Sequence, residues 1–454
     1  MESMKKKLAI YLVLLSALSA VSCGNEQVEV VETPYAMINS FKLGSIRSTY
    51  PAFTSDGRDT TLRKTISMSS VPFHIDQAAG KIYNSDSLLF ATDVSKVTIS
   101  MSADGVPAIY DDSTELYNNI SSGDSIDFTR SRKVRVYSVG GACYKDYEIS
   151  VNVHQVEPEL MVWTKSHTPD GVEPVRALEW DGEMCLFGKD ATGNAVVART
   201  MLNDTVWSVG AVTGLPVEAL SGIQKFNGRM YAVAGGNVYS SQDAAVWETV
   251  AAATGAVAIV GASDEDSRLW VAGEQGMLCS TDGVSFENSG ELPEGFPLYG
   301  VSIASSPLSH NKNIIRYTLV GYPTAAMEGN ASVWCRLSNE NRWTCYDSKN
   351  NPYPCPDLKN LAVLCYDGYL YALGGSGTVD GVAEEAFASF FISKDNGVSW
   401  KKNVSFYQRL PKDVAGVDRK FAATVDSRNF MWIIAGDPNG GVWKGIINRL
   451  GFNE

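Results

Sequence analysis

A short apolar strand running into glycine recurs six times in the second half of the chain, and no other feature limits the fold so sharply. It occupies Met184 to Gly188, Met230 to Gly236, Leu269 to Gly273, Tyr317 to Gly321, Leu370 to Gly375 and Met431 to Gly436. An aromatic closes each of the first five units: Trp207, Trp247, Phe286, Trp343 and Trp400. The sixth unit stops too soon for one, shortly after Gly441-Val442-Trp443-Lys444. Conversely, Leu160 to Lys165 stands before the first unit as a strand without a repeat of its own. Repeats of this length mark rings and arrays. A ring of six sheets, the last completed by the N-terminal strand, explains both irregularities and leaves no open sheet edge. Residues 157–452 are therefore expected to form a six-bladed β-propeller closed by an N-terminal strand.

A second signature precedes several of the aromatics. Ser393-Lys394-Asp395-Asn396-Gly397-Val398-Ser399-Trp400 resembles the Asp-box, S-x-D-x-G-x-x-W. Residues Ser280 to Phe286, around Asp282, and Ser241 to Trp247, around Asp243, follow it one residue shorter. In an Asp-box the carboxylate caps backbone amides of the turn between a blade's last two strands, and the aromatic packs between blades. The double glycines Gly235-Gly236 and Gly374-Gly375 resemble those of kelch repeats.

Residues 34–156 carry a different pattern, period two. Val97, Ile99 and Met101 alternate with Thr98, Ser100 and Ser102, and Tyr147, Ile149 and Val151 with Glu148, Ser150 and Asn152. Such alternation predicts strands wet on one face. Turn clusters such as Ala103-Asp104-Gly105 separate them, and no helical period appears. An immunoglobulin-like β-sandwich is the expected solution, without the Cys…Trp…Cys spacing of true immunoglobulins.

The N-terminus points to export. Lys5-Lys6-Lys7 precede an apolar run from Leu8 to Val21, too short to span a bilayer, which needs about 20 residues. Basic, apolar and then small residues is the order of a secretory signal over 1–22. Ser19-Ala20-Val21-Ser22 then leads into Cys23, which resembles the lipobox of bacterial lipoproteins with Ala20 where Leu is usual. Lipidated Cys23 would anchor the chain, with 23–33 as a polar tether. The whole order resembles Bacteroidota lipoproteins of unassigned function that carry a β-sandwich and a kelch or galactose-oxidase-like propeller. That resemblance implies a cell-envelope location, at the outer membrane, and brings no reaction with it.

The charge of −13 and pI of about 4.9 exclude nucleic acid as a partner. With four histidines in the whole chain, a copper centre, a zinc site or a Ser-His-Asp arrangement is not expected, so no metal or cofactor is predicted. Sialidase chemistry is not expected either, because Arg176, Arg199, Arg229, Arg268, Arg316 and Arg336 share no position in the repeat. Asp264-Glu265-Asp266 and Glu384-Glu385 are the acidic pairs a glycosidase would need, but they lie in polar loops. Cys335 and Cys345 flank Glu340 symmetrically in a predicted hairpin, with Cys355 ten residues on, and an oxidising compartment permits a bridge among them.

Long loops on a rigid scaffold are the usual seat of binding. Tyr322 to Ser332, Tyr346 to Lys359 and Ser376 to Glu385 are expected on one propeller face, where Tyr322, Tyr346, Asp347, Tyr353 and Asp357 offer stacking faces and acceptors to a sugar. The expected function is non-catalytic binding of a glycan or an envelope protein partner. A carbohydrate-active hydrolase or lyase, and a structural component of an envelope complex, are the alternatives.

Overall fold

The computed structural model describes residues 33–451 apart from 55–58, 251, 328, 347–350 and 438–439. The export segment, Cys23 and all but the last residue of the tether lie outside the described residues. The chain divides into two units between Val156 and Glu157. Both are all-β, with short 3₁₀ turns as the helical elements among the described residues.

In the first unit, a three-stranded sheet joins Met37–Leu43, Val97–Asp104 and Ser125–Ile126. A six-stranded sheet runs His74–Asp76, Lys81–Tyr83, Tyr144–Ser150, Arg132–Tyr137, Val106–Asp111, Leu116–Asn119. Lys81–Tyr83 is parallel to its neighbour Tyr144–Ser150, and the other pairings are antiparallel. The chain passes repeatedly between the two sheets, while three pairs of consecutive strands stay as hairpins within the six-stranded one. The period-two residues do what their alternation implies: Val97 and Ile99 from one sheet and Val134, Val136, Tyr147 and Ile149 from the other share one core. A separate hairpin pairs Ser45–Phe53 with Asp59–Ser67.

One polar lock joins the two sheets. A β-bulge falls between Ile38 and Ser40, and Ile38 is fully buried there. Its N–H donates to the hydroxyl of Tyr147 (3.1 Å), which donates to Gln77 Oε1 (2.6 Å). The Gln77 amide nitrogen completes the loop by donating to Ile38 O (2.7 Å).

The second unit is a β-propeller domain with six four-stranded antiparallel sheets. In chain order their second strands are Glu183–Lys189, Arg229–Ala234, Arg268–Gly273, Ile315–Tyr322, Tyr369–Leu373 and Met431–Ala435. These are the six apolar repeats. Each alternates its side chains between two interfaces, so both faces are dry and the run contains no polar phase. Met184 and Leu186 pack against Trp432 and Ile434 of the sixth sheet, while Cys185 and Phe187 pack against Met230 and Ala232 of the second. Four more cores of the same kind fill the remaining interfaces, including the one between fifth and sixth sheets, so the ring is closed.

Closure is made by the lone N-terminal strand. Met161–Ser166 pairs along its whole length with Gly441–Ile447, the third strand of the sixth sheet. The aromatics explain the rest of the irregularity. Trp207, Trp247, Phe286, Trp343 and Trp400 each sit in the core between their own sheet and the preceding one. In the core between the fifth and sixth sheets that place is taken by Trp163, from the closing strand. Burying such a side chain is worth roughly 1.5–3 kcal/mol. Trp163 lies against Gly445, where a Cβ would fall 2.5 Å from its ring, and its indole N–H donates to Arg409 O (2.7 Å). Arg449 adds a charged clasp between Glu159 (2.7 Å) and Asp367, whose other oxygen also receives it.

The cysteine hairpin forms with a register different from the symmetric one. Cys335 stands opposite Thr344 and Cys345 opposite Trp334. An offset of one residue puts the two side chains on opposite faces, so the geometry does not join them. Cys335 is a buried free thiol.

Replacing Tyr147 by Phe would leave the Ile38 N–H buried without a partner, at a cost of about 1–3 kcal/mol. Urea unfolding of Tyr147→Phe is expected to lower the midpoint of the N-terminal unit and leave the propeller transition where it was. An unchanged midpoint for both would show that the lock contributes nothing.

Candidate functional site

The turns between third and fourth strands are built by side-chain capping. Asp395 Oδ1 accepts Ser399 N (2.8 Å), and Ser393 Oγ accepts Gly397 N (2.7 Å). Asp282 Oδ1 accepts Val284 N (2.8 Å) and Ser285 N (2.7 Å), and these amides pull its pKa down to about 2. Asp243 Oδ1 does the same for Ala245 N (3.0 Å) and Val246 N (2.8 Å). Trp400 and Trp247 are buried, each donating its indole N–H back into its own turn at 3.1 Å, to Gly397 O and Ala244 O; Phe286 is half-buried. Gly397 has φ +102°, and a Cβ there would meet Val333 at 2.9 Å. These carboxylates are committed to backbone amides, which suits a turn and not a reacting centre.

Of the residues offered by sequence for a sugar, Tyr322 and Asp357 are brought together, and Tyr353 lies apart from them. Tyr322 is buried, and its hydroxyl donates to Asp357 Oδ1 (2.9 Å); burial first, then that carboxylate, push its pKa up. Tyr346 is half-buried in the core between the fourth and fifth sheets, where burial and the neighbouring Cys335 thiol push its pKa up to about 12. Tyr353 departs from the expected face altogether. Its carbonyl accepts Trp400 N (3.0 Å), and nearby Asn351 donates to Val398 O (2.8 Å), so this stretch runs beside the turn of the fifth sheet at the opposite end. Tyr353 is exposed there beneath the Lys401 ammonium, 4.6 Å from its ring centre. Asp347 lies outside the described residues.

What the long loops build instead is a small sheet. Asp357–Leu358 pairs with Gly377–Val379, which pairs with Val382–Glu384. Its hairpin turns at Asp380 (φ 48°) and Gly381 (φ 75°), a two-residue connection in the left-handed region. The Asp-Gly pair between Val379 and Val382 is a sequence signal for this hairpin that a reading of 376–385 as plain loop misses. Glycines let the sheet lie close: a Cβ on Gly377 would fall 1.9 Å from Asp357 O.

Three ties fix this sheet to the propeller. Tyr322 holds Asp357 from the fourth sheet, and Glu384 receives Lys402 of the fifth sheet at 2.6 Å. From the segment leading into the sixth, Asp418 accepts Lys359 Nζ (2.6 Å), Ser376 Oγ (2.6 Å) and Ser376 N. Lys359, then the Ser376 hydroxyl and amide, hold the Asp418 pKa at about 2. The other acidic run is likewise engaged: Asp264 caps Asn227 N (2.7 Å), Glu265 receives Ser263 Oγ (2.8 Å) and Asp266 receives Tyr317 Oη (2.8 Å). Among the described residues, no group of three or more His, Cys, Asp or Glu is placed to hold a metal ion. No helix among them is long and apolar enough to cross a membrane.

Residues 157–454 match the family model described as the DUF6242 beta propeller domain, and residues 41–151 match its N-terminal domain, described as a domain of unknown function. The chain belongs to the DUF6242 family. No curated protein matches it. Solved structures similar to this DUF6242 chain include an Aleuria aurantia lectin variant in complex with alpha-methyl-L-fucoside, 11% identical with a TM-score of 0.35, covering 61% of this chain and 91% of that one. Penicillium chrysogenum alpha-L-arabinanase complexed with arabinobiose is 12% identical, TM-score 0.34, covering 63% and 97%. A gluconolactonase from Xanthomonas campestris is 11% identical, TM-score 0.37, covering 75% and 94%.

The depressed pKa of Asp418 sets a direction with pH. Its unfolded carboxyl binds a proton more tightly than its folded one. The anchorage is therefore fully present above the ordinary value of 3.8 and is lost as pH falls through about 2. Thermal unfolding from pH 5 to pH 2 is expected to show a shallower acid decline in Asp418→Asn than in the unaltered chain. Parallel declines would mean that Asp418 does not anchor the loops.

Proposed function

We propose that this protein is a lipid-anchored, extracytoplasmic binding protein of the cell envelope, held by Cys23 at the outer membrane of a Bacteroidota cell, and that it binds a glycan or an envelope protein partner. The observation that carries the binding reading is the added sheet of residues 357–358, 377–379 and 382–384. It is tied to the fourth and fifth propeller sheets and to the segment leading into the sixth, and presents Thr378, Asp380, Val382 and Ala383 exposed along its hairpin. A rigid, raised hairpin with solvent-facing side chains is a recognition element. The anchor rests on the Lys5-to-Cys23 order of basic, apolar and small residues.

The full chain carrying Cys23→Ala tests both halves. Expression in a Bacteroidota host is expected to move the variant from the membrane to the soluble fraction, and a glycan array probed with it is expected to show retained ligands. Continued membrane association would refute the lipid anchor. Failure on every glycan would remove the glycan as ligand, and cleavage of a bound glycan would replace the binding reading with that of a carbohydrate-active enzyme.

A further inference from the structure

Among the described residues, the innermost strands of the propeller carry an arginine that no carboxylate pairs with. The innermost strands of the six sheets are Glu173–Trp180, Gln224–Phe226, Ala256–Ser263, Tyr299–Pro307, Ala362–Tyr366 and Phe421–Val425. Each ends its sheet, so its free edge borders the axis of the closed ring. The last four of these strands carry no charged residue at all. The first two carry Glu173, Arg176, Glu179 and Lys225. Glu179 is occupied at the far end of its strand, where it receives the Ser427 hydroxyl (2.8 Å) and amide.

Arg176 is different. A bulge shifts the register between Pro174 and Arg176, and the side chain turns towards the second sheet. There its Nε donates to Ile223 O (3.2 Å), just ahead of that sheet's innermost strand. This bond orients the guanidinium, and among the described residues neither terminal nitrogen has a partner. Among the described residues no carboxylate pairs with it. The side chain still touches solvent, yet the surrounding protein desolvates it enough to bring its pKa down to about 10, with no neighbouring charge acting in either direction.

An unpaired guanidinium in such surroundings is costly to keep, and four inner strands without charged residues offer nothing to screen its field. Its two free terminal nitrogens form the planar fork that matches a carboxylate with two parallel hydrogen bonds. We propose that the axis of the propeller is a binding site for an oxyanion, a ligand carboxylate above all, received on the free fork of Arg176. This site is separate from the raised hairpin and goes beyond the reading given for it. The ligand class is a small organic acid or the acid group of a sugar; inorganic phosphate shares the chemistry and is the alternative source.

Titration calorimetry and thermal unfolding of the full chain carrying Cys23→Ala test the site, with glucuronate, acetate and phosphate each compared with chloride at equal ionic strength. Glucuronate or acetate is expected to bind and to raise the melting temperature above that in chloride. Arg176→Met is expected to weaken that binding about tenfold or more, the worth of a charged hydrogen bond, and to melt no lower than the parent in chloride. Arg176→Lys keeps the charge without the fork, so it should lose the preference for carboxylate over chloride. It serves as the test if the Met variant does not fold. Phosphate binding that depends on Arg176 would support the oxyanion site and name its source. Equal effects of chloride and carboxylate, or an unchanged response in both variants, would overturn the proposal and leave Arg176 a hydrated residue of the channel wall.

Discussion

The pairing of Met161–Ser166 with Gly441–Ile447 is the contact on which the second unit depends. Without it the third strand of the sixth sheet would present an open edge, and the core between the fifth and sixth sheets would lose Met161 and Trp163. Every other interface receives its aromatic from the repeat that follows it; this one receives it from the start of the second unit. The segment is also knitted in by its backbone, with Asn448 N donating to Leu160 O and Arg449 N to Pro158 O, both at 3.0 Å. A ring closed in this way loses stability as a whole and not sheet by sheet. The free edges of its innermost strands are also held facing one axis.

The fold was legible because its repeats are dictated by burial. A second strand that feeds two cores has no polar phase, so Met184 to Gly188 and its five counterparts stand out in the sequence. The lone strand before the first repeat was equally legible as the missing piece of the last. The same reading stopped short of Trp163, although it stands 44 residues before Trp207, close to the 40 that separate Trp207 from Trp247. Alternation in the first unit reported which residues face the core, while the Tyr147–Gln77–Ile38 lock depends on a bulge that pattern alone does not reveal.

The site was less legible, for a physical reason. Sequence spacing says that Tyr322, Tyr353 and Asp357 lie in long segments; it does not say which side chains and backbone groups those segments meet. Asp357 ends up held by Tyr322, whereas Tyr353 ends up beside the turn of the fifth sheet. Asp418 entered no candidate set, since a single Asp in a polar loop looks like any other until Lys359 and Ser376 are seen to converge on it. Arg176 was visible only as one of several scattered arginines. Its isolation is a property of the inner strands around it, four of which carry no charge. The two proposed binding elements thus rest on things sequence does not display: loops tied down into a hairpin, and an arginine without a paired carboxylate on an inner strand.

Hydrogen–deuterium exchange of the intact chain tests the closure most directly. If the N-terminal strand holds the ring, amides of Met161–Ser166 and Gly441–Ile447 will be as protected as those of Met431–Ala435, and urea will expose all three together. Rapid exchange across Met161–Ser166 while Met431–Ala435 stays protected would contradict the account, because the ring would then stand without its closing strand.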